Sequence, residues 1–193
     1  MALNIINIPS GLETALRKFM PAGPELEILV AGTGPVRPQN FLDIDAVEWA
    51  GGLDIFLESC VLAVQTARES LQRSVPGRIV FLVHPPAVRA IGGASLAGAA
   101  GAFLTTFAQV AAAELTGRGV TANVIVAGWT EESAPGEILA GIPAGRLATN
   151  EDLVRAIAFL ASTESDYISG AVITVDGGFT ITKSVGGTPL VRR

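Results

Sequence analysis

Charge is scarce in this chain. Only 16% of its 193 residues are Asp, Glu, Lys or Arg, against about 25% in typical soluble domains. There is no block of Lys and Arg, and the formal net charge is −5, which argues against nucleic acid as a partner. Cysteine is nearly absent. Cys60 alone excludes an internal disulfide and a Cys-based zinc site. One histidine (His84), one tyrosine (Tyr167) and two lysines (Lys18 and Lys183) leave little material for acid–base chemistry. The opening residues lack a basic flank and a long apolar core, so no signal peptide is read and a cytoplasmic location is expected. What remains is apolar: 49% of residues are hydrophobic. That is more than one small domain usually hides, and oligomerisation is the ordinary remedy.

The longest uncharged run lies between Arg89 and Glu114. Its length suits a transmembrane helix. However, Leu, Ile, Val and Phe are few in it, and Ala and Gly contribute little to insertion. Soluble-domain patterning flanks it on both sides, so no membrane is expected. A helix that is apolar all round must still be covered all round. The cover is either its own sheet alone or a sheet on one side and another chain on the other.

Periodicity organises the rest. A β-type run at 3–8 precedes a helix over 10–20, with Ser10 as its cap and Leu12, Leu16 and Phe19 on one face. A buried strand at 26–32, a Pro-bearing loop at 35–40 and an amphipathic helix over 53–73 follow. Further strands are read at 77–83, 120–128 and 170–178, and a helix capped by Asn150 over 150–162. Residues 184–193 read as a loose or docked tail of a single domain spanning 1–193. Strands and helices that alternate, with strands apolar throughout, imply a parallel α/β sheet covered on both faces.

From about residue 26 to 180 the chain resembles the short-chain dehydrogenase/reductase family. The segment "IPAGRLATNEDLVRAIAFLASTESDYISGAVITVDGG" (142–178) is similar to the family's closing segment. "GRIVFLV" resembles its fifth strand, and "GVTANVIVAG", with Asn123, its sixth. The resemblance implies a truncated Rossmann-like sheet of about five strands with helices on both faces. It also implies that the chain starts near the family's third strand, without the first strand and its Gly-rich dinucleotide turn. "GTGP" at 32–35 stands where the family has Asn-Asn-Ala-Gly. In the family the first strand lies between the third and the fourth. With it gone, the expected order is 3–8, 26–32, 77–83, 120–127, 170–175, joined at the start by a right-handed crossover through helix 10–20.

The same resemblance places the family's catalytic Asn, Ser, Tyr and Lys on Phe56, His84, Ala97 and Gly101. Ala and Gly supply neither proton nor cation, so no catalytic, cofactor-binding or metal-binding residue is assigned. His84 is read as a residue ending a strand beside two prolines. Cys60 is read as a small packed residue, Arg146 and Asp176 as turn-stabilising, Asp54 and Glu58 as an exposed helix face, and Asp43, Asp45, Glu48, Glu131 and Glu132 as solvated acids. Trp129 lines or fills the remnant cleft. The small-residue line Gly98, Ala102, Thr105 and Gln109 suits close helix approach to a neighbour.

These observations lead to the expectation of a pseudoenzyme: a non-catalytic subunit of a hetero-oligomeric oxidoreductase complex. In that reading a homologous active subunit carries NAD or NADP in a heterodimer or heterotetramer and oxidises a secondary alcohol, with a hydroxyacyl-CoA as one candidate. Two alternatives stay open: a homo-oligomer with lyase, hydratase or isomerase chemistry at His84, and a small-ligand-binding protein.

Overall fold

Strands that are apolar at every position need cover on both faces, and the fold supplies it. The computed structural model describes residues 2–6, 8–20, 27–33, 41–73, 76–134 and 138–182; the tail at 184–193, the loop at 35–40 and the end of the "GTGP" turn lie outside them. Five parallel strands form one sheet: β1 (Ala2–Ile6), β2 (Glu27–Gly32), β3 (Gly77–Val83), β4 (Val120–Ala127) and β5 (Val172–Val175), in the spatial order β1-β2-β3-β4-β5. The register pairs Ile5 with Val30, Val30 with Val80 and Val80 with Asn123. The expected strand order holds. β3 and β4 are buried at every position, as expected for central strands of a parallel sheet.

Alternation of side chains divides the core in two. Leu29, Phe81 and Val124 face α2 (Ala46–Arg73) and α3 (Ser95–Leu115). Ile28, Val80 and Ile125 face α1 (Ser10–Phe19) and α4 (Asn150–Ala161). Every crossover advances one strand in the same direction, so helices on opposite faces give crossovers of opposite hand. Val124 turns its side chain to α2 and α3 while its amide donates to the carbonyl of Ala171 at β5 (2.8 Å). For an L-residue this makes β2–α2–β3 and β3–α3–β4 right-handed and leaves β1–α1–β2 and β4–α4–β5 left-handed. The right-handed crossover expected for helix 10–20 is therefore corrected. Left-handed crossovers make up only about 2% of cases. Here the usual face is filled by helices of 28 and 21 residues, while Leu12 and Leu16 find cover against Leu153 and Ile157 on the other face.

Helix starts also differ from expectation. Ser10 is the first residue of α1, preceded by Pro9, and no side chain caps this helix. Thr149, not Asn150, caps α4: its hydroxyl accepts from the Asp152 amide, and the Asp152 carboxylate accepts from the Thr149 amide. This reciprocal pair satisfies two amides that helix geometry leaves without partners. α2 starts at Ala46, earlier than 53, because Asp45 accepts from the amides of Val47 and Glu48 (2.9 and 2.8 Å). α3 is long and apolar enough to cross a membrane, yet Ala100, Leu104 and Ala108 are fully buried in the core it shares with the sheet.

Candidate functional site

β2, β3 and β4 end side by side at Gly32, Val83 and Ala127, and a crevice opens where they end. In open parallel sheets, ligands bind outside the carboxyl ends of the strands. The crevice holds a space of about 30 Å³, room for one or two water-sized groups. Ile8, Pro9 and Leu12 at the start of α1 line it together with Asn150 and Leu153 of α4. Thr33, His84, Thr130 and Ser133 provide its polar groups, and the Thr130 and Ser133 hydroxyls are bonded to each other (3.0 Å).

His84 follows β3 and precedes a single 3₁₀ turn, Pro85–Ala87. Its ring stacks on Trp129, with centroids 5.9 Å apart and planes 7° from parallel. Trp129 is 8% exposed and packs edge-on against Phe179 at 6.2 Å. The Arg89 guanidinium lies over the opposite part of this cluster, 4.7 Å from the Phe179 centroid, and donates to the Phe179 carbonyl. Asp176 holds the following turn by accepting from the amides of Gly178 and Thr180 (2.9 and 2.7 Å). Trp129 thus fills the cleft beside His84.

The turn after His84 packs against Gly101. Ala97 is buried, and a Cβ on Gly101 would collide with the Ala87 methyl carbon while lying 3.2 Å from its Cα. Phe56 lies in α2, with its side chain outside the described residues. The small-residue line divides. Gly98 faces its own chain, since a Cβ there would lie 3.2 Å from the Pro86 carbonyl oxygen. Half-buried Thr105 donates to the Gly101 carbonyl (2.8 Å), and Ala102 and Gln109 are exposed. Cys60 is buried, and desolvation pushes its thiol up to about 11, which makes it a packing residue. Arg146 donates two bonds to Asp152 (2.6 and 3.0 Å), steadying the turn into α4.

A dinucleotide needs a place for its phosphates. β1 lies directly beside β2, and α1 starts at the crevice rim without a side-chain cap. Its first amides lack partners within the helix and favour an anion. Gly11 sits in that first turn. A Cβ there would run into the Glu132 carboxylate and lie 2.8 Å from the Asn150 side-chain nitrogen. The Glu132 carboxylate therefore lies against the glycine of this turn. The residues of this turn fit a phosphate-bearing ligand, although no Lys or Arg lines the crevice among the described residues.

The family model described as enoyl-(acyl carrier protein) reductase matches residues 7–180. The chain belongs to the short-chain dehydrogenase/reductase family. It is 30% identical over 186 residues to the 3-oxoacyl-[acyl-carrier-protein] reductase FabG of Escherichia coli K12, covering 92% of this chain and 76% of the relative. It is 32% identical over 164 residues to the 3-oxoacyl-[acyl-carrier-protein] reductase MabA of Mycobacterium avium, covering 81% of this chain and 64% of that one. A Burkholderia thailandensis oxidoreductase of the family shares the fold with a TM-score of 0.79 at 22% identity, over 94% of both chains. A Beutenbergia cavernae protein solved with NADP at low occupancy matches with a TM-score of 0.74 at 25% identity, over 89% of this chain and 73% of its own.

These findings overturn the expectation of a non-catalytic pseudoenzyme subunit. The relatives are named as reductases, and nothing among them points to a subunit released from catalysis. Sequence reasoning also passed over Gly11, Thr130 and Ser133. "SG" opening a helix directly after a β-type run was the available signal, masked because the family's first strand and its Gly-rich turn were read as missing.

Proposed function

We propose that this chain is an NAD(P)-dependent oxidoreductase acting on a carbonyl–alcohol pair, with a 3-oxoacyl compound as the substrate class. The observation that carries this reading is the placement of His84 at the end of β3, in the crevice where three parallel strands terminate. Family membership and the printed activities of the relatives support it.

Bound there, the dinucleotide would supply a hydride. Ser10, Gly11 and the uncapped amides of α1 would hold its phosphates. His84 would give a proton to the substrate oxygen in reduction and take it back in oxidation; imidazole is the side chain suited to that transfer near neutral pH. Stacking on Trp129 holds the ring in one plane. The Thr130–Ser133 hydroxyl pair would orient the oxygen, and Leu12, Leu82 and Leu153 exclude water from its apolar neighbour. A second chain of the same family is the proposed partner, against the outer faces of α2 and α3, where Leu62 and Val110 are about half exposed.

The test is NADPH oxidation by the purified chain with a 3-oxoacyl thioester, alongside His84→Ala. Turnover should fall by about a hundredfold or more in the variant. Absence of substrate-dependent NADPH oxidation in the parent chain, or full activity in His84→Ala, would overturn this reading.

A further inference from the structure

The indole N–H of Trp129 is buried without an acceptor among the described residues, although its ring is stacked on His84 and packed against Phe179. A buried indole N–H ordinarily finds a partner, and a ligand can supply one. Trp129 lines a pocket that shares no residue with the crevice. It holds a space of about 220 Å³ where the end of β4, the turn at 144–148 and the end of β5 meet. A cavity of about 150 Å³ already takes benzene. The walls are fixed within the chain. The Ala144 amide donates to the Gly177 carbonyl (3.0 Å), the Ala148 amide to the Trp129 carbonyl (2.8 Å) and the Gly128 amide to the Val175 carbonyl (2.8 Å). Ile142, Leu147 and Val175 make much of the lining apolar. Its charges are unequal. Arg146 is engaged by Asp152 through two bonds. Asp176 is nearly buried and has no ion-pair partner among the described residues. Each of its carboxylate oxygens accepts from one backbone amide, which leaves each a further lone pair.

We infer that this pocket is a second binding site, for a neutral primary amide carried on an apolar body. The amide oxygen accepts from the Trp129 indole N–H, and the amide nitrogen donates to Asp176. An anion would face the Asp176 carboxylate with no free cation beside it. An ammonium has no acceptor to offer the indole. The site is independent of the dinucleotide reading, which concerns the crevice lined by His84.

Titration of benzamide, benzoate and benzylammonium into the ¹⁵N-labelled full chain, followed by NMR, tests it without turnover. Benzamide should bind with a dissociation constant on the order of a millimolar. It should shift the Trp129 indole N–H resonance together with the amides of Thr174 and Gly177, which line this pocket. The amides of Thr33, Ser133 and Leu153, which line the crevice, should stay in place. Benzoate and benzylammonium should bind at least about tenfold more weakly. Trp129→Phe keeps a ring and removes the donor, and should weaken benzamide about five- to tenfold. No shift up to the solubility of benzamide overturns the inference, and so do shifts confined to the crevice amides. Benzoate or benzylammonium binding as tightly as benzamide overturns the choice of a neutral amide. Unchanged benzamide affinity in a folded Trp129→Phe overturns the role of the indole; if that variant does not fold, the indole resonance of the parent decides.

Discussion

The two helix layers solve the same problem differently. α1 and α4 are short and two-sided: Leu12, Leu16, Leu153 and Ile157 face the sheet, while Arg17 and Arg155 pair with acids one turn away at the surface. α2 and α3 are long. α3 carries no charge from Ser95 through Ala113, and it buries Ala97, Ala100, Leu104 and Ala108 while leaving Ala102, Thr106 and Val110 exposed. The first layer carries paired charges on its outer side, with Phe159 as an exposed apolar exception. The second keeps an apolar outer face at α3. The layer with the paired charges also borders the crevice.

Core truncation on each face is the strongest probe of this contrast. Leu104→Ala in α3 and Ile157→Ala in α4 each remove a fully buried side chain and should each cost about 2–5 kcal/mol. The two sites lie on opposite faces, so the double variant should be additive within about 0.5 kcal/mol in urea denaturation. A clear departure from additivity would mean that the sheet couples the two layers.

A lysine at Gly101, where the resemblance would place one, is the next largest perturbation. Gly101→Lys drives a side chain into the turn at Ala87 and should lower stability by about 1–3 kcal/mol, with no gain in turnover. A stable variant with raised activity would show that the Pro85–Ala87 turn moves aside.

The α4 layer has its own weak point in Asp152. The Arg146 guanidinium, together with the Thr149 amide, holds its carboxyl well below the usual carboxylate range. A pKa depressed on folding contributes stability above the unfolded value of about 3.9 and loses it as pH falls toward the folded value. Asp152→Ala should cost about 1 kcal/mol at pH 7 through the lost capping pair. The difference from the parent should shrink below about pH 4. A gap that does not narrow at all between pH 4 and pH 2 would assign the loss to packing.

The smallest effect on the fold and the sharpest on assembly is expected from Ala102→Arg. This position is exposed in the single chain, so folding stability should change by no more than about 0.5 kcal/mol. If a second chain covers α3, the buried charge should dissociate the assembly in sedimentation. Thr105→Arg, at a half-buried position, should act in the same direction. Unchanged sedimentation of both variants would leave the α3 outer face without a partner.

Much of the fold was legible in the chain. Apolar runs such as "GRIVFLV" can only be covered strands, and the alternation of such runs with helical periodicity implies a parallel sheet with helices on both faces. The five-strand order followed once β1 had to find a neighbour. The buried thiol of Cys60 and the turn-holding roles of Asp176 and Arg146 were legible too, because each belongs to a local pattern. Helix starts were less so. Ser10 and Asn150 both have the chemistry of a cap, but the Thr149–Asp152 reciprocal pair and the absence of any cap at α1 depend on backbone angles that neighbouring residues share.

Residue by residue, the sequence by itself determined which segments are strands, that they are buried, which family they belong to, and that Ala97 and Gly101 offer no proton. Only the tertiary structure decided the left-handed path of α1, because the choice of face depends on which helices already fill the other one. Only the structure placed Glu132 against Gly11 and stacked His84 on Trp129, because these residues are distant in sequence and meet only where the carboxyl ends of β2, β3 and β4 converge.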